Sequence, residues 1–329
     1  MEVVVEPLGL VLRASPGANL LETLRTNNVP VSYSCMAGRC GTCRCKVVKG
    51  TVLETGRDAI KSDPRGDGHV LACMSVLTES CAIEIAEPDE VITHPAKVFK
   101  ATVTSIEAMT HDIKRLRLRP SKPFVYSPGQ YALLQVAPDM VRPYSMAGLS
   151  TDDELEFHVR LVPDGRVTGY IDEKLKVGDS VRVTGPLGTA YLRSRHEGPM
   201  LCVAGGSGLA PVLSIVRGAL ESGMRNPIHL YFGVRTPTDV YGLQWLDALA
   251  SRHSNLNVQT VVTSGSGEDQ AMRSGIVTEA VAEDHPNLNG WRAYLCGAPP
   301  MVEAASLLAE RRGIAREHIY ADAFYASNS

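Results

Sequence analysis

Four cysteines in one spacing constrain this chain more than any other feature. They are Cys35-Met-Ala-Gly-Arg-Cys40-Gly-Thr-Cys43 and then Cys73, thirty residues further on. A C-x4-C-x2-C…C arrangement holds a [2Fe–2S] cluster through four thiolates, so Cys35, Cys40, Cys43 and Cys73 are the metal ligands this reading expects. One short loop wraps the cluster and the distant cysteine closes the cage. Gly38 and Gly41 let backbone amides come close to the sulfides, where a Cβ would interfere. Zinc and a pair of disulfides are the other uses of four cysteines. A lone C-x2-C would favour zinc. Disulfides fit poorly in a chain whose first residues, Met-Glu-Val-Val-Val-Glu, carry no basic leader and already read as a strand. Cys45 and Cys81 lie in alternating runs and Cys202 in an apolar one, so these three read as buried strand residues.

A low-potential one-electron centre needs a source of electrons. With 329 residues, the chain has room for two or three domains. A net charge of −3 gives no footprint for nucleic acid. No apolar run is long enough to span a membrane, and the expected location is cytoplasmic. Residues 1–90 read as the cluster unit. Strands are expected at 1–7, 11–14, 44–48, 70–74 and 81–86, with a helix opened by Asn19 as N-cap, Glu22 three residues on, and closed at Asn27-Asn28. This is the β-grasp pattern of plant-type ferredoxins. A polar linker with two prolines follows, Glu87-Pro-Asp-Glu-Val-Ile-Thr-His-Pro95. Residues 96–195 then show short alternating strands at 97–104, 113–118, 131–136, 155–162 and 180–184, which suggest an antiparallel β-barrel. Residues 198–329 alternate strands (200–204, 228–233, 258–262, 293–296, 319–321) with helices, the mark of a doubly wound parallel sheet. The fold class expected is therefore multidomain, α+β and α/β.

Two motifs fall at strand ends of the third unit. Ala204-Gly-Gly-Ser-Gly-Leu-Ala-Pro211 turns from a strand into a helix, where glycines admit a pyrophosphate to backbone amides and the positive helix end. Pro211 stands where a Rossmann fingerprint has its third glycine, and a plain turn is the other reading. Cys296-Gly-Ala-Pro-Pro-Met301 ends a later strand; Gly297 permits a close approach, and Cys296 is either a thiol facing the same crevice or a buried structural cysteine. In the barrel, Arg142-Pro-Tyr-Ser145 and Gly165-Arg-Val-Thr168 are candidate flavin contacts: Arg142 for a phosphate, Tyr144 on the isoalloxazine, Ser145 near N5, and the amides around Gly165, Val167 and Thr168 for the pyrophosphate. Each tetrapeptide alone is more readily a surface turn.

The order of these motifs resembles the reductase components of bacterial aromatic-ring dioxygenases, within the ferredoxin–NADP reductase superfamily. Longer strings bring it nearest to the naphthalene dioxygenase type, which also serves nitroarene dioxygenase and salicylate 5-hydroxylase systems. Among them are Ser32-Tyr-Ser-Cys35, Gly185-Pro-Leu-Gly-Thr-Ala-Tyr-Leu192 and His318-Ile-Tyr-Ala-Asp-Ala-Phe-Tyr325. The resemblance implies FAD held by Arg142, Tyr144, Ser145 and Thr168. It implies NADH, with NADPH also allowed, held by Gly205, Gly206, Gly208 and Pro211. Cys296 and Gly297 would lie beside the nicotinamide, with Ser145 and Cys296 at the hydride-transfer centre. It further implies Phe324 over the flavin and Asp322 aligning the nicotinamide, although this chain runs five residues past Phe324. Hydride would pass to FAD, single electrons to the cluster, and then to a Rieske-type ferredoxin that feeds the oxygenase. A reductase that feeds its hydroxylase directly shares this domain order. From another class, a redox sensor or carrier module is opposed by the full motif set. Arg235 is a candidate for a 2′-phosphate or a solvated loop arginine. Arg39 and Arg44 are candidates for docking the partner.

Overall fold

The computed structural model describes residues 1–33, 36, 38, 43–55, 68–85, 90–265 and 272–325. The chain forms two compact units, Met1–Val91 with the C-terminal residues from Tyr325, and Ile92–Phe324.

In the first unit, β1 (Glu2–Glu6) pairs antiparallel with β2 (Leu10–Arg13), and α1 (Leu20–Thr26) follows. The helix starts where expected because Asn19 Oδ1 accepts the Glu22 amide at 3.1 Å, a cap worth about 1 kcal/mol. It stops at Asn27, and Asn28 turns the chain away at φ 56°. Five strands then follow: β3 (Arg44–Lys49), β4 (Val52–Glu54), β5 (His69–Leu71), β6 (Ser75–Leu77) and β7 (Cys81–Glu84). The main sheet runs β2-β1-β7-β3-β5, while β4 and β6 pair separately. Leu20, Leu21 and Leu24 bury one face of α1 in a core with Val3, Val5 and Ile83. The segment expected as a strand over 70–74 is instead β5 followed by one 3-10 turn, Ala72–Met74. Cys73 therefore sits on a turn.

The second unit begins with six strands: β8 (Lys97–Ala108), β9 (Ile113–Pro120), β10 (Tyr131–Ala137), β11 (Met140–Ser145), β12 (Leu155–Arg160) and β13 (Ser180–Leu187). Their order is β11-β10-β13-β8-β9-β12, and the bridge Met146–Phe157 brings the two edges together as a barrel. The alternation Phe99, Ala101, Val103 and Ala132, Leu134, Val136 supplies the interior. Outward residues of β9 pair as ions with the next strand, Arg115 with Glu156 on β12 and Arg119 with Glu154 just before it. One helix, α2 (Arg166–Glu173), packs against β10 and β11.

Six parallel strands complete the unit: β14 (Met200–Gly205), β15 (Ile228–Val234), β16 (Leu256–Val262), β17 (Met272–Ser274), β18 (Arg292–Gly297) and β19 (Ile319–Ala323). They alternate with α3 (Leu209–Glu221), α4 (Leu243–Ala250), α5 (Val277–Asp284) and α6 (Pro299–Arg311). The sheet order β17-β16-β15-β14-β18-β19 reverses direction between β14 and β18, and that switch point is where open α/β sheets bind ligands. The helix α3 is buried along nearly its whole length. It is held to the barrel by Ser214 Oγ, which donates to the Gly148 carbonyl at 2.6 Å, and by the bidentate pair of Arg217 with Asp152 at 2.9 Å.

Candidate functional site

The cluster end of the first unit is built around Cys43 and Cys73. Cys43 is buried at the entry to β3, and Cys73 is half-buried on its turn. The Cys73 amide donates to Cys43 Sγ at 3.4 Å, the Ala72 amide donates to the Cys43 carbonyl at 2.9 Å, and Asn19 Nδ2 donates to the Cys73 carbonyl at 2.8 Å. The helix cap and the fourth cysteine are thus tied to each other. An N–H aimed at a cysteine sulfur is the contact that stabilises a thiolate ligand of a cluster. Gly38, at φ +73°, has the Met74 side chain where its Cβ would go, 2.6 Å from Met74 Cγ. Only glycine fits there. Cys35 and Cys40 lie outside the described residues. Cys45, Cys81 and Cys202 are buried strand residues, as their alternation implied. Burial, with Cys81 nearby, pushes the Cys45 thiol up to about 12, so it stays protonated and chemically quiet.

The expected flavin residues line the end of β11. The Arg142 guanidinium spends one donor on the Val141 carbonyl at 2.8 Å. Its other donors are oriented by that bond. The Tyr144 ring packs on the barrel core, and burial pushes its phenol up to about 12 with Arg142 pulling the other way. Beside this strand, α2 begins at Gly165 with no side chain capping it, which leaves its first amides to an anion. Two details refine the expectation. The Val167 side chain is buried in the barrel, so only its amide can serve a ligand. The Thr168 hydroxyl bonds within its own loop, accepting from the Val162 amide at 3.2 Å and donating to the Gly165 carbonyl at 3.3 Å. A Cβ on Gly165 would run into that hydroxyl. An uncapped helix start next to an arginine-bearing strand suits a pyrophosphate, so the residues present fit FAD.

At the switch point the two glycine motifs meet. Gly205 ends β14, residues 206–208 form a 3-10 turn, and α3 follows with Pro211 buried in its first turn. Cys296-Gly297 ends the neighbouring β18. A Cβ on Gly208 would run into the Cys296 carbonyl. Cβ atoms on Gly205 and Gly297 would come within 2.8 and 2.7 Å of Met301 Cε. The Met301 side chain thus packs over both glycine strand ends. One turn of α6 returns a flexible side chain to the floor between two glycine strand ends.

Three residues remote in sequence converge beside this floor. Ser145 Oγ, from the barrel, donates to Asp322 Oδ2 at 3.1 Å. Asp322 is the register partner of Cys296 on the adjacent strand. Cys296 is wholly buried, and burial together with Asp322 drives its thiol far above the ordinary range. It is a neutral S–H group, suited to packing and weak hydrogen bonding and unsuited to nucleophilic attack. Phe324, half-exposed just past β19, is fastened by its amide to the Gly297 carbonyl at 2.8 Å.

One residue escaped the sequence reading. Arg160, at the end of β12, is held by Asp112, with Nε and Nη2 both 2.8 Å from Oδ2. Its Nη1 lies 3.0 Å from where a Cβ on Gly206 would be. The barrel thus presents a cation to the glycine turn. A strand-end arginine ahead of a Pro-Asp-Gly turn carries no signal that separates it from a solvated one. Arg235, by contrast, is simply exposed after β15.

An iron–sulfur unit, a flavin-type barrel and a nicotinamide-type sheet define an electron-transferring oxidoreductase. Family models agree along the chain. A 2Fe-2S iron-sulfur cluster binding domain matches residues 3–78, an oxidoreductase FAD-binding domain 100–191 and an oxidoreductase NAD-binding domain 202–306. The reductase component of the naphthalene 1,2-dioxygenase/salicylate 5-hydroxylase systems of Ralstonia sp is 59% identical over 327 residues, covering 99% of each chain. That of the naphthalene 1,2-dioxygenase system of Pseudomonas putida is 56% identical over 325 residues, again with 99% coverage of each. The crystal structure of the Amycolatopsis cytochrome P450 reductase GcoB superposes with a TM-score of 0.78 at 34% identity, over 98% of both chains. The chain belongs to the family of ferredoxin–NAD(P)+ reductase components, with 2Fe-2S, FAD-binding and NAD-binding domains.

Proposed function

We propose that this reductase oxidises NADH, passes the electrons inward through FAD and the cluster, and delivers them singly to a Rieske-type ferredoxin. That ferredoxin feeds an aromatic-ring-hydroxylating dioxygenase of the naphthalene type, in the cytoplasm. Identity above one half, over the full chain, to two naphthalene-system reductases supports the assignment of the system. Among the described residues, no helix is long and apolar enough to cross a membrane. The observation that carries the chemistry is the meeting of Ser145, Asp322 and Cys296 beside the glycine floor. It joins the barrel to the switch point of the parallel sheet, where a hydride donor must be aligned.

When bound, the flavin accepts electrons as a pair and releases them one at a time, which matches nicotinamide to a one-electron cluster. The protein's part is positional. Arg142 and the α2 amides hold the diphosphate of the flavin. The amides after Gly205, with Arg160, hold that of the nicotinamide dinucleotide. The Ser145 hydroxyl donates to Asp322 beside the reacting edge, and the bond fixes the orientation of both side chains. Neutral Cys296, wholly buried, packs behind the glycine floor and supports its strand neighbour Asp322. Cys35, Cys40, Cys43 and Cys73 hold the cluster.

A Cys40→Ser variant tests the order of carriers. It loses the cluster, keeps FAD and still oxidises NADH with ferricyanide, and no longer reduces a Rieske ferredoxin. Native ferredoxin reduction by that variant would place the exit at the flavin. Reduction of an oxygenase without any ferredoxin would favour the direct-feeding reading.

A further inference from the structure

A buried polar chain joins the barrel to the glycine turn and takes no part in the hydride path. The His158 side chain, on β12, has no exposed surface. Its Nε2 lies 3.1 Å from Glu156 Oε1, and its Nδ1 lies 2.9 Å from the Tyr241 hydroxyl. Tyr241 stands just before α4, and its hydroxyl donates to the Gly206 carbonyl at 3.3 Å, the long end of the range for such bonds. From the other side, Arg115 Nη2 donates to Glu156 at 2.6 Å, and its guanidinium lies over the Trp245 ring at 4.7 Å. Four polar side chains thus run from the outer face of the barrel to one backbone carbonyl. Apolar residues of the same volume would fill this interface without the cost of burying polar groups.

Hydrogen counting gives the chain a direction. A phenol has one hydrogen to donate. Tyr241 can give it to Gly206 only if His158 Nδ1 carries its own proton and donates to the tyrosine oxygen, with one further proton between Nε2 and Glu156. Burial drives the Tyr241 phenol far above its ordinary range, so it keeps that hydrogen. The bond matters because of where it lands. Gly206, at φ +54°, is the first residue of the 3-10 turn, and its carbonyl also accepts the Leu209 amide. The peptide that follows is planar and trans, so its N–H, that of Ser207, points opposite to the held carbonyl. Two bonds on the Gly206 oxygen therefore aim the Ser207 amide outward from the start of α3.

We infer that Tyr241, oriented by His158 and Glu156, is a positioning residue that clamps the Gly206 carbonyl and so presets the Ser207 amide for the dinucleotide phosphates. This rests on reading residues 205–208 as the dinucleotide turn.

The test is Tyr241→Phe in the holoenzyme, which removes only the hydroxyl. NAD+ affinity is measured by calorimetry, and NADH oxidation with ferricyanide gives KM and kcat separately. Kd and KM should rise together about three- to tenfold, the range one uncharged hydrogen bond carries. kcat should stay within about twofold, because the hydroxyl does not touch the reacting atoms. FAD and iron content should be native. Unchanged Kd and KM overturn the inference, and so does a fall in kcat at native KM. Should Tyr241→Phe fail to fold, Glu156→Leu carries the test: with no partner to hold a proton at Nε2, His158 is free to accept from Tyr241, so Kd should rise in the same direction, and a native Kd overturns the inference. Arg160→Ala, which removes the cation facing the turn without adding an atom to it, separates the two readings. Native NAD+ affinity there discards the dinucleotide turn itself. Loss there, with native affinity in Tyr241→Phe, discards only the role of Tyr241.

Discussion

The Ser145 hydroxyl donates to the Asp322 carboxylate across 3.1 Å, although 177 residues separate them in the chain. One ends a barrel strand and the other lies on the last strand of the parallel sheet. Their bond ties the barrel to the parallel sheet within the second unit.

Ser145→Ala breaks that bond and should slow flavin reduction by NADH. The expected loss is at least about tenfold, since hydrogen-bonding groups at a reacting centre contribute on the order of 10²-fold and more. FAD content should be native. Anaerobic stopped-flow mixing with NADH reads the rate directly, and an unchanged rate would remove Ser145 from the hydride step.

Arg142→Ala should weaken FAD retention and leave the iron content unchanged. A charge-assisted bond to a phosphate is worth about 1.5–3 kcal/mol, or roughly one to two orders of magnitude in affinity. The flavin-to-iron ratio after gel filtration checks this, and a native ratio would discard the assigned contact.

Gly297→Ala should destabilise the second unit. The new Cβ would come within 2.7 Å of Met301 Cε and 2.9 Å of the Gly205 carbonyl, at a φ of +147°. Overpacking of this kind costs about 1–3 kcal/mol. In a unit of this size each kcal/mol lowers Tm by about 2–4 °C. Calorimetry should show the loss in the second unit only, and a native Tm would mean that the floor adjusts freely.

Acid should destabilise the parallel-sheet end through a histidine pair. His229 and His285 meet edge to face at 4.7 Å between centroids, with Trp291 packed against both. Burial lowers both titrations from 6.5, and for His229 the neighbouring histidine lowers it further. The unfolded chain then binds more protons than the folded one. Stability is full above about pH 6.5 and is lost as pH falls through the lowered values. Glu156 adds a second acid limb: its carboxyl is held at about 2 against the effect of burial, by His158 and Arg115. Its contribution is present above 4.5 and is lost as pH falls toward 2. Urea unfolding from pH 8 to pH 4.5 should show the first limb, flattened in a His229→Gln/His285→Gln variant. An identical pH profile in that variant would contradict the argument.

The sequence carried the architecture well because its periods are strong. The strands around Val3-Val5, Phe99-Val103 and Leu201-Val203 follow from alternation or continuous apolar runs, and Asn19 announced α1 by its cap. Short pairings were not legible. The three-residue strands Val52–Glu54 and Met272–Ser274 have too few residues to show a period, and their pairing is set by neighbours. The turn under Cys73 likewise depends on the Asn19 side chain fifty-four residues away. At the candidate site, motifs gave the glycines, whose reason is local. They did not give Arg160 or the chain from Arg115 to Tyr241, whose meaning arises only when β12 is laid against the glycine turn.

The most direct measurement is the visible spectrum of the purified holoprotein before and after anaerobic addition of NADH. Flavin and [2Fe–2S] bands should both bleach, at a stoichiometry near one and a half NADH per protein for about three electrons in all. A cluster spectrum without flavin, or bands that NADH leaves unchanged, would contradict this.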